Sequence, residues 1–177
     1  MPVANAPTLA REPRARLPFR AVNRSGSAQH DPGLHRHHLL PCQIAGLRSF
    51  GPFLGALGAA RVGLEDFRAN GMLLPARDEA VLRTALPLHR GPHPGYSAMV
   101  IERVGAIEGC WSRARLRDAD RAGEAALASL EILRQQLRLQ LLDRRRPLRL
   151  NRRDPLGQGV DFTELDAMAE DLWRATG

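Results

Sequence analysis

The chain has 177 residues, enough for one domain with a hydrophobic core, and 26 basic against 19 acidic residues give a formal net charge of +7. Every one of those cations is an arginine, whose planar fork pairs with phosphate through two parallel hydrogen bonds, so the charge fits a polyanionic partner such as nucleic acid, although a GC-rich coding bias also favours arginine. Two distant cysteines, Cys42 and Cys110, without CxxC spacing, indicate neither a disulfide framework nor a cysteine-type zinc site, and no stretch approaches the ~20 apolar residues of a membrane span. With no apolar segment of a secretory signal near Met1, a soluble protein is expected, cytoplasmic or exported as an effector without such a signal.

In chain order, residues 1–31 hold five arginines, four prolines and no apolar periodicity, and read as a flexible basic arm. His37 to Leu40, stopped by Pro41, reads as a short strand or strand end. Gln43 to Ala60 carries Ile44, Leu47, Phe50, Leu54 and Leu57 at helical spacings, which predicts a helix broken near Gly51-Pro52. Leu64 to Ala69 adds a helical turn, and Asn70-Gly71 turns the chain into a strand, Met72-Leu73-Leu74, that Pro75 ends. Ala76 to Leu86 reads as a loop with a helical turn. From Pro94 a helix carries Tyr96, Met99, Val100, Arg103, Val104 and Ile107 on one face and ends near Gly109. Asp118 caps the longest helix, with Ala122, Ala126, Leu130, Leu133, Leu137 and Leu141 as its stripe, before Arg144-Arg145-Arg146-Pro147. A last helix begins at Asp161, where Glu164 completes a capping-box pattern and Leu165, Met168, Leu172 and Trp173 form the apolar face.

All six histidines lie at position 30 or in two short segments, Leu34-His35-Arg36-His37-His38-Leu39-Leu40-Pro41 and Leu88-His89-Arg90-Gly91-Pro92-His93-Pro94. Imidazole is both the commonest metal ligand and the usual general base near neutral pH, so two such clusters can supply both halves of a metal-assisted hydrolytic site. A solvated loop or a structural metal site would use the same residues. Adjacent strand residues point to opposite faces, so His37 and His38 share a site only where the strand ends or bulges. Gly91, Pro92 and Pro94 disfavour helix between His89 and His93, which puts His89 in the lead-in and His93 at the helix start. Arg36 and Arg90, beside the histidines, can clamp phosphate oxygens. Arg144 to Arg146 with Arg149, Arg152 and Arg153 form a second basic run, either a solvated loop or a surface that tracks a nucleic-acid backbone.

The order His37-His38-Leu-Leu-Pro, then Asn70-Gly-Met-Leu-Leu-Pro, then His89-Arg-Gly-Pro-His93-Pro-Gly-Tyr96 before a helix resembles the AHH domain of the HNH and endonuclease VII (ββα-metal, His-Me finger) superfamily. The resemblance covers roughly residues 34 to 108, and Arg36 stands where the family name has alanine. It implies an α+β, predominantly helical fold, with a small ββα-metal core that grips one divalent cation (Mg, Mn or Zn) and extra N-terminal and C-terminal helices. The expected organisation is a flexible arm at 1–31, a nuclease core at 32–108 and a helical extension at 109–177 packed on that core. The implied activity is a metal-dependent endonuclease hydrolysing phosphodiester bonds of DNA or RNA. Many AHH domains are the toxic tips of bacterial polymorphic toxins and are paired with an immunity protein, so these too are implied.

Carried over by position, His37, His89 and His93 would ligate the metal, His38 would be the general base, and Asn70 would orient the base or tie the hairpin. Tyr96 would bond phosphate or pack the helix start. His30 and His35 match no motif position and read as surface residues. The alternative is a non-catalytic, zinc-stabilised nucleic-acid-binding module; a structural site would use all its ligands, whereas a nuclease leaves His38 free and a coordination position open.

Overall fold

The computed structural model describes residues 15–145, 148–151 and 153–155. Its sheet is a two-stranded antiparallel ribbon, β1 (Leu34–His38) against β2 (Gly71–Pro75), in a register running from Leu34 opposite Pro75 to His38 opposite Gly71. The first strand stops two residues earlier than the sequence suggests. Leu39 N–H donates to the Asn70 carbonyl at 2.8 Å and Leu40 N–H to Asn70 Oδ1 at 2.7 Å, so one residue draws both amides out of the ladder.

Residues 39–70 lie between the strands as a run of short helices. Two 3-10 turns, Cys42–Gly46 and Arg48–Phe50, precede α1 (Gly51–Leu57), α2 (Ala59–Val62) and α3 (Phe67–Asn70). The expected break near Gly51-Pro52 is the start of α1, with Pro52 in its first turn, where a missing N–H costs nothing. Further breaks follow at Gly58 and Gly63, whose φ values of 81° and 65° suit glycine. Asp66 caps α3 by accepting from Arg68 N–H.

After β2, the helical turn expected within residues 76–86 is α4 (Asp78–Thr84), with Asp78 and Glu79 at the positive end of its dipole. The next helix, α5 (Pro94–Ala114), runs past Gly109 because Ile107 and Trp111 continue its buried stripe, whose burial outweighs the ~1 kcal/mol that an interior glycine costs. Asp118 caps α6 (Ala119–Leu142) through Arg121 N–H at 2.9 Å, and all six expected stripe residues are buried.

One core joins these elements. It extends from Leu39 and Leu40 through Phe53, Leu57, the inner faces of α5 and α6, and on to Leu148 and Leu150. The division expected at residues 108 and 109 falls inside α5, and α6 packs into the same core. Residues 15–31 also depart from expectation, for they are folded. Asn23 Nδ2 donates to the carbonyls of Asp31 and Leu34, its Oδ1 accepts from Asp31 N–H, and Phe19 is buried. Their charge and proline content conceal one anchoring ring and one amide. Residues 1–14, Arg146, Arg152 and the helix expected from Asp161 lie outside the described residues. Among the described residues no helix is long and apolar enough to cross a membrane.

Candidate active site

Strand alternation turns His37 inward, where it is 1% exposed, and sends His38, the last residue of β1, to the other side. The ring of His37 lies 4.8 Å from that of His89 and 5.1 Å from that of His93. The other two histidines are held by backbone rather than by a shared helix. His89 N–H donates to the Pro75 carbonyl at the end of β2, 2.6 Å away, and the neighbouring Leu88 N–H donates to the Asp154 carboxylate at 2.8 Å. Gly91, at φ 78°, then reverses the chain so that His93 becomes the N-cap of α5 and Pro94 its first residue. The four-residue spacing thus works without a helix through both residues, as the prolines predict.

The ligating nitrogens of His37, His89 and His93 all lie within 4.8 Å of one another, and His89 Nε2 and His93 Nε2 are 3.0 Å apart. Burial, reinforced by the neighbouring imidazoles, pushes His37 down to about 2 and His89 to about 4, and burial also lowers His93. All three are therefore neutral at physiological pH, the form in which imidazole can ligate a metal. Among the described residues, both ring nitrogens of His37 and the Nδ1 atoms of His89 and His93 are buried without a hydrogen-bond partner. An unsatisfied buried polar atom costs about 1–3 kcal/mol, so several together mark a place built for something else. Tetrahedral coordination at zinc–nitrogen distances of ~2.0–2.1 Å separates two nitrogens by ~3.3 Å, close to the His89 to His93 distance. The residues fit a divalent cation with three protein ligands and an open position.

His38 faces a different environment. Phe19 stacks flat on its ring, with centroids 3.6 Å apart and planes 8° from parallel. Burial lowers the pKa of His38, while the nearby Glu65 carboxylate pulls it back up. The Arg36 guanidinium donates to the Phe19 carbonyl at 2.9 Å, so the residue standing in the alanine position braces the ring that covers His38. Asn70, fully buried, spends its side chain on the Leu40 amide and carbonyl and on the Leu64 carbonyl. It ties the hairpin rather than touching the base. Arg90 is exposed, 3.8 Å from Asp78, and its carbonyl accepts from Asn151. Tyr96 is a correction to the phosphate contact: it is 4% exposed, and its hydroxyl donates to the Leu39 carbonyl at 2.7 Å, fastening α5 to the end of β1.

Several residues of the site go unnoticed in the sequence. His35 is exposed, as its surface reading has it; what that reading lacks is its place on the strand face of His37, with its ring 6.5 Å from that of His89 in a groove lined also by Asn23, Ser25, His30 and Arg36. The two-residue repeat of a strand could have found it. Phe19, Glu65 and Asp154 carry no motif signal, since each reaches the site across a gap in sequence that only the fold closes.

A family model described as AHH, a nuclease family of the HNH/ENDO VII superfamily with conserved AHH, matches residues 19–137, more than half of the chain. No curated protein and no solved structure matches it. The match begins at the residue whose ring covers His38, and it takes in every histidine.

Proposed function

Because the chain belongs to the AHH nuclease family, its substrate is a nucleic acid, and we propose that it is a metal-dependent endonuclease hydrolysing phosphodiester bonds of DNA or RNA. The observation that carries this reading is the set of three imidazoles with a nitrogen of each within 4.8 Å of the others, both ring nitrogens of His37 being buried without a hydrogen-bond partner, with a fourth, His38, left out of the set on an adjoining face. A closed structural zinc site needs four ligands, and the described residues supply three. This favours the nuclease over the zinc-stabilised binding module.

His37, His89 and His93 would hold one divalent cation, Mg, Mn or Zn. Such a cation neutralises charge on the phosphate and helps the leaving oxygen. His38, kept neutral by burial, takes a proton from the attacking water as the water oxygen bonds to phosphorus and the phosphorus bond to the leaving oxygen breaks. Phe19 fixes the plane of that imidazole, and Asn70 holds the end of the strand from which it projects. A groove of about 530 Å³ lies beside His35, Arg36 and His89, and Arg36 brings positive charge to its lining, which suits a phosphate backbone.

The test is incubation of the purified chain with plasmid and with RNA, with Mg²⁺, Mn²⁺ or Zn²⁺ and with chelator. His38→Ala is expected to lower the rate by ~10²–10⁴-fold with metal binding retained, and His37→Ala to lose both. Undiminished cleavage by His38→Ala removes the base; cleavage of neither polymer by wild type returns the binding module to first place. The same reading includes a toxin effector paired with an immunity protein, as the family resemblance implies. Growth arrest on expression in bacteria, abolished by His38→Ala, is its expected signature.

A further inference from the structure

Three potential ligands on the far side of β1 take no part in the three-histidine set. Cys42 opens the 3-10 turn that follows Pro41, and Glu65 immediately precedes the cap of α3. Both belong to the segment between the strands, which folds back so that they meet His38. The Cys42 Sγ atom donates to Glu65 Oε1 at 3.5 Å, and one donor atom from each of His38, Cys42 and Glu65 lies within 4.8 Å of the others. Cys42 and Glu65 are exposed, so a cation reaches them directly from solvent.

We propose that His38, Cys42 and Glu65 form a second metal site, selective for a borderline cation such as Zn²⁺, whose occupation withdraws the His38 imidazole. Zinc bonds of ~2.3 Å to sulfur and ~2.0 Å to carboxylate oxygen give a tetrahedral sulfur–oxygen separation of roughly 3.5 Å. That is the separation Cys42 and Glu65 already have. The thiolate and carboxylate together neutralise the dication, and the mixed sulfur, nitrogen and oxygen set selects zinc over magnesium, which prefers oxygen. Zinc takes the sulfur as thiolate, so binding displaces a proton: the S–H bond breaks, a zinc–sulfur bond forms and the proton leaves to solvent. A ring nitrogen of His38 that coordinates zinc has no lone pair for a water proton. Zinc at this site therefore inhibits where zinc or another cation at the three histidines activates.

Binding at this site stands independently of the nuclease reading; the inhibitory consequence rests on it. The three-histidine set contains no sulfur, so Co²⁺ separates the two sites. Titrating the full chain with Co²⁺ is expected to give a near-ultraviolet sulfur-to-cobalt charge-transfer band that survives in His37→Ala and Cys110→Ser and disappears in Cys42→Ser. Glu65→Gln, also at an exposed position, should weaken the midpoint of that band by at least the ~10–100-fold that loss of a supporting residue costs at metal sites. Absence of the band at any excess of Co²⁺, or its loss in Cys110→Ser with retention in Cys42→Ser, overturns the site. Under excess Zn²⁺, cleavage relative to each protein's own uninhibited rate should fall in wild type and much less in Cys42→Ser. Equal inhibition overturns the regulatory consequence, and a band without any cleavage by wild type defeats the nuclease reading while leaving the site standing.

Discussion

The ring of Phe19 lies parallel to the imidazole of His38 at 3.6 Å, and the same Phe19 offers its carbonyl to Arg36, two residues before that histidine. A segment before β1 is thereby locked over the proposed base from two directions. Phe19→Leu keeps an apolar side chain but removes the flat face, and should lower kcat for plasmid or RNA cleavage by up to ~10²-fold through misorientation of His38. Metal affinity of the three-histidine set should stay unchanged in the same variant. A wild-type kcat would show that the stack has no part in turnover.

Gly71 faces His38 across the ribbon and follows Asn70 directly. A Cβ there would sit 2.2 Å from Phe67 Cδ2 and 2.6 Å from the Phe67 carbonyl, with backbone on one side and a ring fixed against Phe19 on the other. Gly71→Ala should therefore destabilise the fold by about 1–3 kcal/mol, read as a lower urea midpoint. An unchanged midpoint would mean that α3 moves aside freely, contrary to its packing.

The metal-free protein should lose stability in acid through its buried imidazoles. His37 and His89 titrate at about 2 and about 4 when folded, against 6.5 for the ordinary group. As the pH falls below ~6.5 the unfolded chain takes up these protons and the native state does not, so their contribution is complete above that pH and declines progressively toward the folded values. Urea unfolding with chelator present should show a falling midpoint between about pH 7 and about pH 5. His37→Leu should flatten that slope; the same slope in wild type and variant would contradict the assignment.

Asp154 accepts from the buried amide of Leu88, the residue before His89. Asp154→Ala leaves that N–H without this acceptor, at a cost of about 1–3 kcal/mol, and frees the backbone that carries a ligand. Weaker metal binding by calorimetry, together with a lower unfolding midpoint, is the expected pair of results. A stability loss with unchanged metal affinity would confine Asp154 to the core.

What could be read from the sequence is what short range encodes. His37, His38, Asn70, His89 and His93 announce themselves by residue type and order, and the prolines around His93 correctly forbid a helix through both His89 and His93. The stripe of α6 follows from spacing alone, as does its cap at Asp118. The failures lie where distant contacts decide. Nothing near Phe19 signals that it will cover a histidine, and Glu65 looks like any surface carboxylate until the segment between the strands folds back. Gly109 looks like a stop, but buried Trp111 carries the helix beyond it. Tyr96 was legible as a helix-start residue, while its hydroxyl partner, Leu39, was not.

The bond between Leu88 and Asp154 also bears on the order in which the histidine segments gain their support. Its two ends are 66 residues apart, and Leu148 and Leu150 join the same core just before the second of them. During synthesis, both histidine segments leave the ribosome well before the residues that brace the loop between Pro75 and His93. Until residue 154 has been made, a nascent chain therefore carries all its histidines but lacks the carboxylate that holds the Leu88 amide beside His89.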